Sequence, residues 1–154
     1  LRTSAVYGFG MQRALYVKPF VEAAVAGRAA NFPRGGEMKR DYSYVKDVAQ
    51  CIRLAFEVPS ERLTQRVFNV SGGRMHTALE VVETVRSVVP GADISIGSGL
   101  SAMEEADIKT RAALDCRQAE EGLGFRSVHD LRSGIEDYVR DLRAYLDDAG
   151  SVSE

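Results

Sequence analysis

Apolar positions along this chain switch between a period of two and a period near 3.6, and the switches predict strands interleaved with helices. Residues 1–7 carry Leu1, Thr3, Val6 and Tyr7 and run into Gly8-Phe9-Gly10, a strand followed by a tight turn. Pro19 suits the first turn of a helix, where its missing N–H costs nothing. That helix, over 19–26, presents Phe20, Val21, Ala24 and Val25 to a core and stops at Gly27. A short extended piece, 29–33, precedes the loop Gly35-Gly36, and residues 42–45 read as extended. Val45, Val48, Ala49, Ile52, Ala55 and Phe56 then recur at helical spacing over 46–57 until Pro59. Residues 66–71 form a β-rich run closed by Gly72-Gly73, and Thr77 with Glu80 makes a capping box for a helix over 78–89. Residues 93–97 alternate like a strand, whereas 98–112 read as a Gly/Ser-rich, then acidic, loop. Ser127 and Asp130 suggest another capping box before a helix over 130–146, with Leu131, Ile135, Tyr138, Leu142 and Tyr145 on one face. Residues 149–154 are expected to fray. This alternation predicts an α/β fold with helices on a largely parallel sheet, to which the strands at 1–7 and 66–71 both belong.

At 154 residues the chain is about one domain. Its net charge of −2 excludes the general basic footprint of a nucleic-acid binder. No run of apolar residues is long enough for a membrane-spanning helix, and the N-terminus has no signal-peptide pattern. Cys51 and Cys116 make no CxxC and suit a reducing, cytoplasmic setting. Leu1 stands where a methionine would start a chain and already reads as mid-strand, which predicts a fragment.

Charge is unevenly spread. Residues 28–47 hold five basic residues (Arg28, Arg34, Lys39, Arg40, Lys46) against three acidic ones (Glu37, Asp41, Asp47), whereas 130–154 are strongly acidic. An anionic ligand would choose the first region. Within it a glycine loop delivers Arg40 at the start of an extended segment leading into a helix. A guanidinium is suited to bidentate phosphate binding; a solvated turn with Arg40 paired to Asp41 or Asp47 is the alternative. The one Tyr-x-x-x-Lys, Tyr42 with Lys46, lies in a segment read as extended, so the two side chains should diverge rather than form a catalytic pair. GxGxxG, GxxGxxG, GxxxxGK[ST], HExxH and GxSxG are all absent. His76 and His129 lie far apart beside helix starts, without visible partners for a metal or a triad.

Four segments in order resemble the extended short-chain dehydrogenase/reductases, the NAD-dependent epimerase/dehydratase family. Arg2-Thr3-Ser4-Ala5-Val6-Tyr7-Gly8-Phe9-Gly10 is similar to its R-x-x-N-V-Y-G-P-G strand and turn. Residues 35–49 resemble G-x-x-x-R-D-[YF]-x-[YH]-V-x-D-[VL]-A, and residues 67–73 resemble Y-N-[VI]-G-x-G. Residues 115–119, then Leu123-Gly124-Phe125 and Leu131 to Ile135, resemble D-x-x-K-A…L-G-[WF]…L-x-x-G-[IL]. The resemblance implies the C-terminal part of a Rossmann-like dinucleotide-binding sheet plus a small α/β substrate-binding lobe, with 1–154 as one unit. The Gly-rich cofactor loop and the catalytic Tyr-x-x-x-Lys would then belong to an N-terminal half absent from this chain. No catalytic residue is expected here, and Tyr7, followed four positions later by Met11, is not the catalytic tyrosine.

By the same resemblance, Thr3, Ser4, Ala5 and Val6 would lie near the nicotinamide of NAD or NADP, which the chain alone would not bind tightly. Asn31 and Phe32 would run past a nucleotide base, and Arg40 would grip a diphosphate. Asp47, at a helix start, and Asn69, at a strand end, look structural. Two departures matter. Ala5 replaces an Asn that bonds substrate. Glu104, Glu105 and Asp107 stand where many members have a second phosphate-binding Arg, so that either Arg111 substitutes from a shifted loop or the substrate is not a full sugar-nucleotide. The expected partner is an anionic small molecule; nucleic acid, membrane and metal are not expected, and the family leaves room for a homodimer. The activity implied is that of a sugar-nucleotide epimerase or dehydratase working by hydride transfer. Alternatives are a reductase or dehydrogenase of the same family on a non-nucleotide substrate, a non-catalytic sugar-nucleotide-binding lobe, and a remnant without ligand.

Overall fold

The computed structural model describes residues 1–151, and its backbone forms three small sheets flanked by helices. Strand β1 (Arg2–Thr3) pairs in parallel with β5 (Asn69–Val70). After Ser4 the chain changes neighbour: β2 (Ala5–Tyr7) pairs in parallel with β4 (Lys39–Tyr44), with Ala5 opposite Tyr42 and Tyr7 opposite Tyr44. The other edge of β4 pairs antiparallel with β6 (Met75–Thr77), which places Arg40 opposite His76. A third sheet joins β3 (Ala30–Phe32) to β7 (Ile94–Ile96) in parallel. The expected continuous strand over 1–7 is thus two strands in two sheets. Only Asn69–Val70 of the run 66–71 is strand, because Gly72-Gly73 turn the chain away and β4 takes over as neighbour. Buried Ser43 ties the two sheets together by donating from Oγ to the Val70 carbonyl at 3.2 Å.

Helices α1 (Val17–Val25), α3 (Ala78–Val88) and α6 (Leu131–Ser151) pack on one another; α3 and α6 also lie on the β2–β4–β6 sheet, and α1 and α3 on the β3–β7 pair. Phe20, Val21 and Ala24 of α1 and Leu131, Ile135 and Tyr138 of α6 are buried as their spacing predicts, and Val81, Val82 and Val85 fill the same core from α3; Tyr145, expected on the inner face of α6, is 56% exposed. Each Val, Leu, Ile or Phe side chain so removed from water contributes about 1.5–3 kcal/mol. The Thr77–Glu80 capping box starts α3 as expected. Helix α6 is capped by Asp130, which accepts from the Ser133 amide at 2.7 Å while the Ser133 hydroxyl accepts from the Asp130 amide at 3.0 Å. Ser127, expected in that box, bonds elsewhere. Gly134 lets α6 lie against β2, since a Cβ there would collide with the Tyr7 hydroxyl. Of the segment 149–154, residues up to Ser151 continue α6 and the rest lies outside the described residues.

Helix α2 (Val45–Glu57) departs from its expected face. Cys51 and Asp47 are buried and Val48, Leu54 and Ala55 pack beside them, but Ile52 and Phe56 point outward, Phe56 at 92% exposure. The polar anchor decides this rotation. Asp47 accepts from Ser127 Oγ at 2.6 Å and the His129 amide at 3.1 Å, and its Oδ1 lies 2.6 Å from His129 Nδ1. Holding that carboxylate inside sets the buried stripe at 47, 51 and 54–55 and turns 52 and 56 to water. Two helices fall where none was expected: α4 (Ala102–Ile108), opened by a Ser101–Glu104 capping box inside the expected loop, and α5 (Arg117–Leu123).

Candidate functional site

A cleft of about 570 Å³ opens along β2 and the turn that follows it. Thr3, Ser4, Ala5 and Val6 line it, as do Arg13, Arg40, Asp41, Met75 and Arg111. Gly8, with φ +141 and Val45 pressed against it, bends the chain so that Phe9 and Met11 complete the wall. Beside it lies a second cavity of about 400 Å³, lined by Tyr16, Met38, Tyr42, Met103, Glu104 and Asp107 among others. Leu15 and Arg40 line both. Arg40 therefore stands on the shared wall.

The register of β4 explains this placement. Asp41, Tyr42, Ser43 and Tyr44 are buried, whereas Arg40 sits one position before them, half-buried at the strand's mouth. Its Nη2 lies 2.6 Å from Asp107 Oδ2, and its Nη1 donates to the Lys39 carbonyl at 3.1 Å. Asp107 is shared. Its Oδ1 accepts from Arg111 Nη2 at 2.8 Å and Nε at 3.0 Å. The Arg111 and Arg40 guanidiniums hold the Asp107 carboxyl below its usual range. Neighbouring Glu104 is also held low, by the Ser101 amide first and by the Tyr16 hydroxyl, which donates to it at 2.7 Å. Burial, with Glu104 behind it, pushes the Tyr16 phenol up to about 12.

The candidates divide cleanly. Thr3, Ser4, Ala5, Val6, Arg40 and Arg111 come together around the cleft. Asn31 and Phe32 line neither cavity. The Asn31 amide is held within the β3–β7 sheet, donating to Asp93 at 3.3 Å and accepting from Ser95 at 2.5 Å. Phe32 packs edge-on against Phe20 at 5.1 Å and Tyr16 at 6.2 Å, and only through Tyr16 does it approach the second cavity. Tyr42 and Lys46 diverge: Tyr42 is buried under the sheet, while Lys46 pairs with Asp137 at 2.5 Å and Asp141 at 2.8 Å on α6. Neither Asp41 nor Asp47 pairs with Arg40. Asp41 Oδ2 accepts from the Leu114 amide at 2.8 Å and its buried Oδ1 has no hydrogen-bond partner among the described residues, while Asp47 anchors α2. Asn69 donates to the Asp115 carbonyl at 3.0 Å, a structural bond.

Asp107 as the partner of both arginines was not visible in the pattern. Two signals for it exist: the S-x-x-E box at Ser101 and Glu104, which starts a helix, and the four-residue spacing of Asp107 and Arg111. Among the described residues no cluster of His, Cys, Asp and Glu could hold a metal ion, and no helix is long and apolar enough to cross a membrane.

Residues 1–71 match the model of the NAD dependent epimerase/dehydratase family, and that span contains β1, β2, the glycine turn and Arg40. That likeness covers 71 of the 154 residues of the chain. UDP-glucose 4-epimerase from Thermotoga maritima, solved with UDP-glucose, is 28% identical with a TM-score of 0.75 over 94% of this chain and 45% of its own. A GalE-like L-threonine dehydrogenase from Cupriavidus necator, 18% identical over 92% of this chain and 52% of its own, shares the fold with a TM-score of 0.76. An uncharacterized 37.6 kDa protein in the cld 5' region of Escherichia coli O111:H- is 21% identical over 94% of this chain. The chain spans about half the length of that curated relative, at 47%. Epimerase/dehydratase relatives are NAD-dependent enzymes, and the fold of this chain is the mixed α/β fold of their Rossmann-type structures.

Thr3, Ser4, Ala5 and Val6 supply strand-edge backbone to one wall of the cleft. The pyrophosphate of a dinucleotide is held by a glycine-rich turn opening a helix, and α1 instead opens behind Tyr16.

Proposed function

We propose that residues 1–154 act as one unit, the substrate-binding half of an NAD(P)-dependent sugar-nucleotide epimerase or dehydratase. The observation that carries this reading is Arg40 on the wall common to two cavities, with Arg111 beside it. A ligand with an anionic middle and a bulky group at each end suits that geometry, and a diphosphate between a sugar and a nucleoside has that form. The likeness to a UDP-glucose-bound epimerase supports the same substrate class. In this reading Thr3, Ser4, Ala5 and Val6 lie along the nicotinamide, the sugar occupies the 570 Å³ cleft, and Arg40 with Arg111 takes the diphosphate.

The nicotinamide, when bound, would supply hydride transfer at a sugar carbon. This chain's residues bind, orient and exclude water. Burial of Tyr7 and Tyr42 pushes both phenols up, so neither is suited to giving up its proton near neutral pH, and the acid–base groups belong to the other half. Nicotinamide binding by the chain alone would be weak for want of the pyrophosphate turn. A cytoplasmic setting and a homodimer of the intact enzyme go with the same reading.

A second reading has its own support. Asp107 already neutralises part of the arginine pair, and Ala5 offers no side-chain hydrogen bond, which favours a small substrate without a diphosphate. Assaying the intact protein with NAD against UDP-sugars and against small hydroxy acids separates the two. On the first reading turnover follows the UDP-sugars, and Arg40→Ala raises KM on the order of thirty-fold or more, because truncating one partner of a hydrogen-bonded charge pair costs about 2–5 kcal/mol. Turnover confined to small hydroxy acids retires it.

A further inference from the structure

The arginine pair that would receive the substrate's anion already holds one. Asp107 places one oxygen 2.6 Å from Arg40 and the other 2.8 Å from Arg111, so a carboxylate of the chain stands in the bidentate position that a phosphate would take. Its side chain is 27% exposed. The helix that carries it, α4, contains no buried residue and presents Met103 to solvent at 82% exposure. Polar contacts anchor it: Tyr16 on Glu104, Arg40 on Asp107, and the capping box at Ser101. Such a segment moves without opening the hydrophobic core. Arg40 lines both cavities and Asp107 the smaller one, so their ion pair stands at the wall the cavities share.

We infer that Asp107 is the specificity residue of this site, an internal anion that a ligand must displace from Arg40 and Arg111 before one molecule can span both cavities. This rests on the reading of Arg40 and Arg111 as the substrate's anion site and deepens it. A neutral ligand offers the arginines nothing in exchange for the carboxylate. A diphosphate offers more charge and a second pair of oxygens for each fork, so it wins the exchange. Affinity then depends on the difference between two anions on the same guanidiniums. Selectivity is sharper and absolute affinity lower than an open arginine pair would give.

Inorganic pyrophosphate is the probe, titrated calorimetrically into the intact wild-type protein and into Asp107→Asn, with Asp107→Ala as a second variant and Arg40→Ala as the control. Removing one unit of competing charge at this distance is expected to tighten binding by about ten-fold in both Asp107 variants, with a steeper loss of affinity as salt rises. Binding is expected to vanish in Arg40→Ala. Circular dichroism and the melting transition should be unchanged in the Asp107 variants, because no core contact is lost. Equal or weaker binding by both Asp107 variants, with Arg40→Ala still abolishing it, would overturn the inference and leave the anion-site reading in place. No binding to wild type or to either Asp107 variant at millimolar pyrophosphate would overturn both.

Discussion

Two aspartates, Asp47 and Asp107, each hold several donors at close range but in opposite settings. Asp47 collects two hydrogen bonds from Ser127 and the His129 amide and a close contact with the His129 ring, with its side chain 4% exposed. Asp107 collects two guanidiniums at comparable distances, with its side chain 27% exposed on a seven-residue helix. Around Asp47 the chain is committed: the helix start of α2, the loop before α6 and the Tyr44 ring, 4.7 Å from the His129 ring, all close on it. Around Asp107 only ion pairs would have to be exchanged. A buried carboxylate that loses its donors has nothing to replace them, whereas an exposed one exchanges partners with water or a ligand at little cost. The first setting builds architecture and the second a replaceable contact.

The sharpest way to break this contrast is at Asp47. Removing its charge, or removing its donors, leaves polar groups buried and unpaired, so Asp47→Ala is expected to destabilise the protein by about 3–5 kcal/mol. Urea denaturation measures it, and a loss within experimental scatter would put Asp47 in the same class as Asp107. Next in size is Arg40→Ala, whose thirty-fold or greater rise in substrate KM should come with a stability change below about 1 kcal/mol, since its partner Asp107 reaches solvent and keeps Arg111. A lowered melting temperature with unchanged KM would make Arg40 structural. Arg40→Lys should recover only part of the binding, because the planar fork is lost.

Gly134→Ala probes the packed side from another direction. The added methyl meets the Tyr7 hydroxyl, and overpacking of this kind costs about 1–3 kcal/mol. Thr77→Ala, which removes the N-cap of α3, should cost about 1 kcal/mol by the same assay. The smallest effect is on pH. Glu104 and Asp130 are both held below their ordinary values of 4.5 and 3.8 by backbone and hydroxyl donors, so each carboxylate stabilises the fold above those values. The unfolded chain binds those protons first as pH falls, so the urea midpoint should drop progressively below about pH 4.5. A midpoint flat to pH 3 would show that neither carboxylate is held by folding.

How far the fold was legible follows the kind of force involved. The helices α1, α3 and α6 were readable because the apolar spacing of Phe20, Val21 and Ala24 and of Leu131, Ile135 and Tyr138 agrees with their burial, and because the Thr77–Glu80 box that starts α3 is local. The face of α2 was not, because an apolar stripe through Ile52 and Phe56 competed with one carboxylate at Asp47, and the carboxylate's distant donors decided the rotation. Helix α4 was missed although its capping box is local, since a Gly/Ser-rich and acidic composition masks so short a helix. Strand β6 carries no alternation at all over three residues and exists because β4 offers it an edge.

The candidate site divides the same way. Arg40, its glycine loop and the segment Thr3–Val6 were each visible in the order of residues, because their motifs are local, whereas their meeting in one cleft follows from the β2–β4 pairing. The sequence by itself determined the strand–helix alternation, the capping box of α3, the family resemblance and the arginine proposed for the site. Only the tertiary structure decided that the first strand divides at Ser4, that Asn31 and Phe32 lie away from the cleft, and that Asp107 closes on Arg40 and Arg111. The reason is distance along the chain. Contacts between residues a few positions apart are written in spacing, while Arg40 and Asp107, or Asp47 and His129, meet only after the sheets and helices between them have packed.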